Sequence, residues 1–194
     1  KAITFDAGMS LVELADEYER LMSRDITSEL SDEGLSRRQR VAIEDAEGAL
    51  RMSKISSSER SIITFRHLSM LAQVKSDEEI LKSIGTNLSD RLERMHNWIE
   101  GPHFPDELRI SVLTEPNEGL DQTIISILAG SLSNCEWNSE IIGKQILSAF
   151  KDNQINTKDG YQTLYLAILG VGKGPRLAPI LAELDRTHVL KLLG

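Results

Sequence analysis

The segment Gly172-Lys173-Gly174-Pro175-Arg176 combines the residue types that suit an anion. A glycine turn exposes backbone N–H groups at the start of a helix, and the lysine and arginine add positive charge for a phosphate or a base edge. The plainer alternative is that Gly172 and Gly174 only shape the turn and Arg176 is solvated. Flat side chains are what unpaired bases stack on, so Trp137, Tyr161, Tyr165 and Trp98 are the candidates for reading a single strand. Each also lies on or near an apolar stripe, where an aromatic more often belongs to the core. Arg66 and His67, with Arg91 and Arg94 further along, could contact a nucleic-acid backbone, although surface helices carry such charges routinely. His96 and His103 read most simply as surface or cap residues.

Other chemistries find less support. The run Asp77, Glu78, Glu79 invites a general-acid reading, but it falls in a first helical turn, where negative charge complements the dipole. Ser, His and Asp are plentiful, yet no nucleophile-elbow pattern gathers them, so no catalytic residue is assigned. Cys135 is the single cysteine, and the four histidines show no metal-ligand spacing with it or with each other. Neither a structural metal nor a disulfide is expected.

The elements that position these residues are helical. Ser10 and Glu13 form a capping-box pair ahead of Leu11, Leu14, Tyr18, Leu21 and Met22, which share one helix face. A polar stretch through Thr27, Ser28, Ser31, Asp32 and Gly34 reads as a loop. Ser36 with Gln39 opens a charged helix to about Met52, ended by the cluster Ser53, Ser56, Ser57, Ser58. Ile62, Phe65, Leu68 and Ala72 recur at helical spacing from Ser61. Ser76 with Glu79 then caps a short helix that Gly85 closes. Leu88, Leu92, Met95 and Ile99 make another stripe, stopped at Gly101, Pro102 and Pro105. Arg109 to Thr114 is the one plausible strand, too short and isolated to build a sheet.

After Pro116 the pattern sharpens: a helix around Ile124 to Leu128, then Trp137, Ile141, Ile142, Ile146, Leu147 and Phe150 on the next. Thr157 can cap a helix bearing Tyr161, Leu164, Tyr165, Ile168 and Leu169, which ends at Gly170. Pro175 suits the first turn of the helix that follows, with Leu177, Ile180, Leu181 and Leu184 facing inward. Asp185 caps a short terminal helix. No repeat of fixed period supports a regular solenoid.

Composition agrees. Aromatics are 5% of 194 residues while Gly and Pro are sparse, a balance that favours an all-α fold. No stretch approaches the roughly 20 apolar residues that span a bilayer, and Lys1 to Ser10 lacks the apolar run of a secretion signal, so a cytoplasmic protein is expected. A first residue of Lys1 rather than Met suggests a segment cut from a longer chain. The net charge of −8 argues against binding nucleic acid by bulk electrostatics alone. Its distribution softens the objection, since Lys1 to Glu47 holds 6 basic against 12 acidic residues and Trp137 to Gly194 holds 7 against 5.

The segment Gly160-Tyr-Gln-Thr-Leu-Tyr-Leu-Ala-Ile-Leu-Gly-Val-Gly-Lys-Gly-Pro-Arg-Leu-Ala-Pro-Ile-Leu-Ala-Glu-Leu-Asp-Arg-Thr-His-Val-Leu resembles the C-terminal signature of class I lysyl-tRNA synthetases. Phe65-Arg-His-Leu-Ser-Met-Leu-Ala-Gln, Arg94-Met-His-Asn-Trp-Ile-Glu and Asp16-Glu-Tyr-Glu-Arg-Leu resemble segments of the same family, in the family's order. The resemblance runs from about Leu11 and is weakest between Arg24 and Gly48 and between Thr114 and Cys135. Arg51-Met-Ser-Lys54 followed by Ser56 mimics the KMSKS loop that stabilises ATP in these enzymes. The true loop works against a nucleotide-binding sheet, and it lies upstream of the family's counterpart of Asp16 to Leu21, so the likeness is read as chance.

What the resemblance implies is an irregular bundle of short helices forming a helix-cage anticodon-binding domain over 115–194, preceded over 1–114 by a helical region that adjoins the catalytic domain and leans on the tRNA stem. The implied function is recognition of the anticodon region of lysine tRNA, with Lys173, Gly174, Arg176, Trp137, Tyr161, Arg66, His67 and Arg94 as candidate RNA contacts. Attachment of lysine, and the ATP it uses, would belong to a catalytic domain of the parent enzyme, leaving no cofactor for this segment. Two rivals stand beside it: a helical protein-interaction module, and the equivalent domain of a glutamyl-type synthetase.

Overall fold

The computed structural model describes residues 6–22, 25–52, 63–85 and 88–194. Among them the chain is all-helical, with no strand. In order the helices are α1 (Met9–Met22), α2 (Ile26–Leu30), α3 (Arg37–Met52), α4 (Phe65–Val74), α5 (Asp77–Ile84), α6 (Ser89–Glu100), α7 (Gln122–Leu132), α8 (Ser139–Asp152), α9 (Thr157–Leu169), α10 (Leu177–Glu183) and α11 (Arg186–Leu192). The chain divides into two compact units, Lys1–Leu68 and Ser69–Gly194.

In the first unit α1 and α2 pack against α3, burying Val12, Ile26 and Ile43. Ser36 and Gln39 make the expected reciprocal cap of α3, with the Ser36 N–H donating to Gln39 Oε1 at 3.0 Å and the Gln39 N–H to Ser36 Oγ at 3.3 Å. Two local expectations fail here. Ser10 is inside α1, its hydroxyl donating to Asp6, because the chain turns into the helix at Gly8, whose carbonyl takes the first bonds. Thr27 and Ser28 belong to the short helix α2 rather than to a loop, since Asp25 caps it by accepting from the Ser28 N–H. Of the KMSKS-like segment, Arg51 and Met52 end α3, whereas Ser53, Lys54 and Ser56 lie outside the described residues, as do Ser57, Ser58, Ser61 and Ile62.

The second unit is built on one apolar cluster. Leu128 and Leu132 of α7, Ile142, Ile146 and Phe150 of α8, Leu164 and Ile168 of α9, Ile180 and Leu181 of α10 and Val189 of α11 are all at most 1% exposed. Complete burial of such a side chain stabilises the fold by about 1.5–3 kcal/mol. Leu147, expected on the inward stripe, is 51% exposed and faces out. The helices are stopped by side chains that sequence reading partly missed: Asp121 caps α7 and Asn138 caps α8, while Asn156 caps α9 in place of Thr157, which is already helical. Ser76 with Glu79, and Asp185, cap α5 and α11 as expected. Pro175 precedes the cap residue Arg176, so the proline in the first turn of α10 is Pro179.

Arg109 to Thr114, the one plausible strand, forms no strand and instead bonds to helices. The Ile110 N–H donates to Gln73 Oε1 and the Leu113 N–H to the Ile168 carbonyl, both at 2.9 Å. His188 Nε2 donates to the Leu113 carbonyl at 2.9 Å, and Asn117 Nδ2 to the Leu166 carbonyl at 3.1 Å. Leu166 and Ile168 lie in the last turn of α9, where carbonyls have no partner within the helix. The run satisfies them.

Candidate nucleic-acid interface

Two glycines let α9 lie where it does. A Cβ on the buried Gly160 would stand 2.5 Å from the Phe150 ring, so only glycine lets α9 approach α8 that closely. At the other end Gly170 ends the helix in the left-handed region, with φ at 69°, which an L side chain adopts only with strain. The chain then returns along α9. A Cβ at Gly172 would stand 3.7 Å from the Gln162 side chain, and one at Gly174 would stand 3.4 Å from the Tyr165 ring.

Tyr165 holds the returning chain. Its hydroxyl is shared between the carbonyls of Gly174, at 3.1 Å, and Pro175, at 2.7 Å. Burial raises the pKa of this phenol, and the neighbouring Tyr161 adds to the effect, so the donating form persists over the whole neutral range. Tyr165 is therefore a strut of the turn rather than an open stacking surface.

Lys173, Gly174 and Arg176 are exposed on this turn. Arg176 caps α10 by backbone position only, with no side-chain cap bond. Three cations in this part of the chain are engaged: Lys144 pairs with Glu140, Lys191 with Glu115, and Arg186 donates to the carbonyls of Leu132 and Ser133. The side chains of Lys151, at the end of α8, and of Lys158, Lys173 and Arg176 have no such partner among the described residues. Lys158 is one helical turn from Gln162, the residue that Gly172 approaches, so it adds its charge to the same face of α9. It was missed as a candidate; its spacing of i, i+4 and i+7 with Gln162 and Tyr165 is the signal that could have found it.

The remaining candidates are distributed. Tyr161 is half-buried, meeting Phe150 edge to face with centroids 5.3 Å apart, and burial raises its pKa as well. Trp137 donates its indole N–H to the Leu184 carbonyl at 3.1 Å and has the Arg186 guanidinium 5.5 Å from its ring centroid. It sits at the far end of α10 from Arg176, about 12 Å away along the helix at 1.5 Å per residue. The structure does not bring Trp137 to the turn. Trp98 packs edge to face on Phe104 at 4.8 Å. Arg94 is exposed on α6, with no ion-pair partner among the described residues. In the first unit Arg66 is paired with Asp16 at 2.6 Å, and His67 is exposed, its N–H donating to Thr64 Oγ1.

No group of metal-ligating side chains gathers among the described residues. The helices of the described residues include none long and apolar enough to cross a membrane. The site is a cation-bearing turn on a helical scaffold, its backbone tied by Tyr165.

No protein-family model matches the chain. Relatives do. The lysine–tRNA ligase of Picrophilus torridus is 25% identical over 97% of this chain. The lysine–tRNA ligases of Thermococcus kodakarensis and Pyrococcus horikoshii are 29% and 25% identical, each over 100% of it. By sequence the chain is therefore similar, over nearly all its length, to lysine–tRNA ligases, in line with the resemblance carried by Gly160 to Leu190. The chain spans 38–40% of the length of these relatives, consistent with a C-terminal fragment.

Proposed function

We propose that this chain is a tRNA-binding part of a class I lysine–tRNA ligase and that it recognises the anticodon region of lysine tRNA. The parent enzyme would attach lysine to that tRNA using ATP on its own catalytic domain, which this chain would adjoin; the chain itself carries no cofactor. Residues 115–194 would take the anticodon and 1–114 the stem side.

The observation that carries this reading is the turn. Lys173 and Arg176 are exposed and unpaired on a loop fixed by Gly170, Tyr165 and the close approach of Gly172 and Gly174. A backbone held in place before binding loses less freedom on contact and sets where the lysine and arginine donors can reach. Arg176 is assigned to a base or phosphate at the anticodon, Lys173 and the Gly174 backbone to the adjoining phosphates. Tyr161 and Trp137 are assigned as flanking aromatic surfaces, and Arg94, Arg66 and His67 as backbone contacts. The net charge of −8 makes a rigid local site a better account than general attraction.

The test is binding of the chain to a lysine tRNA transcript and to one with an altered anticodon, across a salt series. The cognate transcript should bind more tightly, and Arg176→Ala should close the gap by about 1–3 kcal/mol if the arginine reads a base. Equal, salt-insensitive binding of both transcripts would reject the reading and favour a protein-interaction role. Preference for a glutamate tRNA transcript would reject the lysine assignment alone.

A further inference from the structure

The first turn of α3 carries Arg37, Arg38 and Arg40, all exposed. Positive charge at that end of a helix opposes the macrodipole, so these residues weaken α3 rather than stabilise it. The surrounding sequence offers carboxylates in excess, 12 acidic against 6 basic residues from Lys1 to Glu47. Glu33, Glu44 and Asp45 are close in sequence, yet none pairs with these arginines, which have no side-chain partner among the described residues. Elsewhere in this unit Arg20 is paired with Glu17 and Arg66 with Asp16, while Arg51 stands without a side-chain partner among the described residues at the other end of α3. Three guanidiniums set together against the local field, without local compensation, mark a surface kept for another molecule.

The geometry fits a polyanion. Ile43, 6% exposed, marks the inward face of α3. At 3.6 residues per turn Arg37 and Arg38 lie on the opposite side, with Val41, 47% exposed, between them and Arg40 flanking. The helix contains no aromatic side chain on which a base could stack. Such a patch attracts phosphates without reading sequence. We infer that Arg37, Arg38 and Arg40 form a second RNA contact of this chain, one that grips the sugar–phosphate backbone and is indifferent to the anticodon. This rests on the reading of the chain as tRNA-binding and adds to it a site of different character.

The test is the salt dependence of binding by the full chain carrying Arg37→Ala, Arg38→Ala and Arg40→Ala together, against the cognate and altered-anticodon transcripts. The slope of log affinity against log salt should fall by about 2–3, and both transcripts should lose affinity in the same proportion. Replacing the same three residues with lysine should restore the slope, which separates lost charge from lost folding. An unchanged slope, or a loss confined to the cognate transcript, overturns the inference. With anticodon discrimination intact, an unchanged slope leaves the proposed function standing. If the unsubstituted chain binds neither transcript, both fall.

Discussion

The two units solve the problem of presenting charge in different ways. In the second, Lys173 and Arg176 stand on a turn that lies against Gln162, Tyr165 and Leu169 of α9, and Tyr165 ties the backbone of the turn directly. In the first, Arg37, Arg38 and Arg40 stand at the start of α3, and the described apolar residues buried in this unit are Val12, Ile26, Ile43, Ile63 and Leu68. A turn whose backbone is fixed limits where its charges can reach, whereas guanidiniums spread around a helix end contribute attraction that any phosphate satisfies. In the proposed arrangement, specificity would rest on the turn and salt-dependent affinity on the start of α3.

That contrast can be broken by unfolding measurements. Ile146, fully buried in the second unit, should lose about 2–5 kcal/mol on replacement by alanine. Both tryptophans, Trp98 and Trp137, lie between Ser69 and Gly194, so their fluorescence follows the second unit while far-ultraviolet circular dichroism follows both. Ile146→Ala should lower the fluorescence midpoint; Ile43→Ala, at the low end of the same range, should move only the dichroism. If Ile43→Ala shifts the fluorescence transition equally, the units unfold together and the contrast in packing has no thermodynamic meaning.

Next in size is Gly160→Ala. The added methyl meets the Phe150 ring, and forcing it in should cost about 1–3 kcal/mol. Denaturant midpoints measure this. A neutral result would show that α8 and α9 can separate without loss, which would undo the argument that the turn rests on a rigid base.

Much of this was legible before any coordinates, for reasons that differ by residue. Ser76 with Glu79, Ser36 with Gln39, Asp185 and Gly170 were readable because caps and left-handed turns depend on a few neighbouring residues. Ser10 and Thr157 were misread because Asp6 and Asn156, equally able to accept from a backbone N–H, stand just upstream. Leu147 shows the limit of a stripe: it lies close enough to the apolar face to be counted, yet points outward. The turn was visible from its glycines and charges, but Tyr165 as its strut was not, because nothing local says which carbonyl a distant hydroxyl will reach. Trp137 failed to join the turn for the same kind of reason; its partner carbonyl is Leu184, set by how α8 meets the end of α10.

The smallest predicted effect bears most closely on function. Tyr165→Phe keeps the ring against Gly174 and removes only the hydroxyl shared by the Gly174 and Pro175 carbonyls. The stability cost should be about 1 kcal/mol, the worth of one such bond. If the turn owes its discrimination to being held, the variant should also lose part of its preference for the cognate transcript, although Tyr165 touches no RNA in the proposed arrangement. The pH dependence gives an internal control. Burial favours the neutral phenol, so the folded-state pKa lies above the unfolded one; the stabilisation is complete below the unfolded pKa and is lost as pH rises through the folded value. The stability difference between Tyr165→Phe and the unsubstituted protein should therefore hold through neutral pH and narrow on the alkaline side, where a phenolate no longer donates to either carbonyl. A difference in stability without any change in anticodon preference would show that the turn discriminates by charge alone, and the contrast between a preorganised and an unspecific contact would have to be given up.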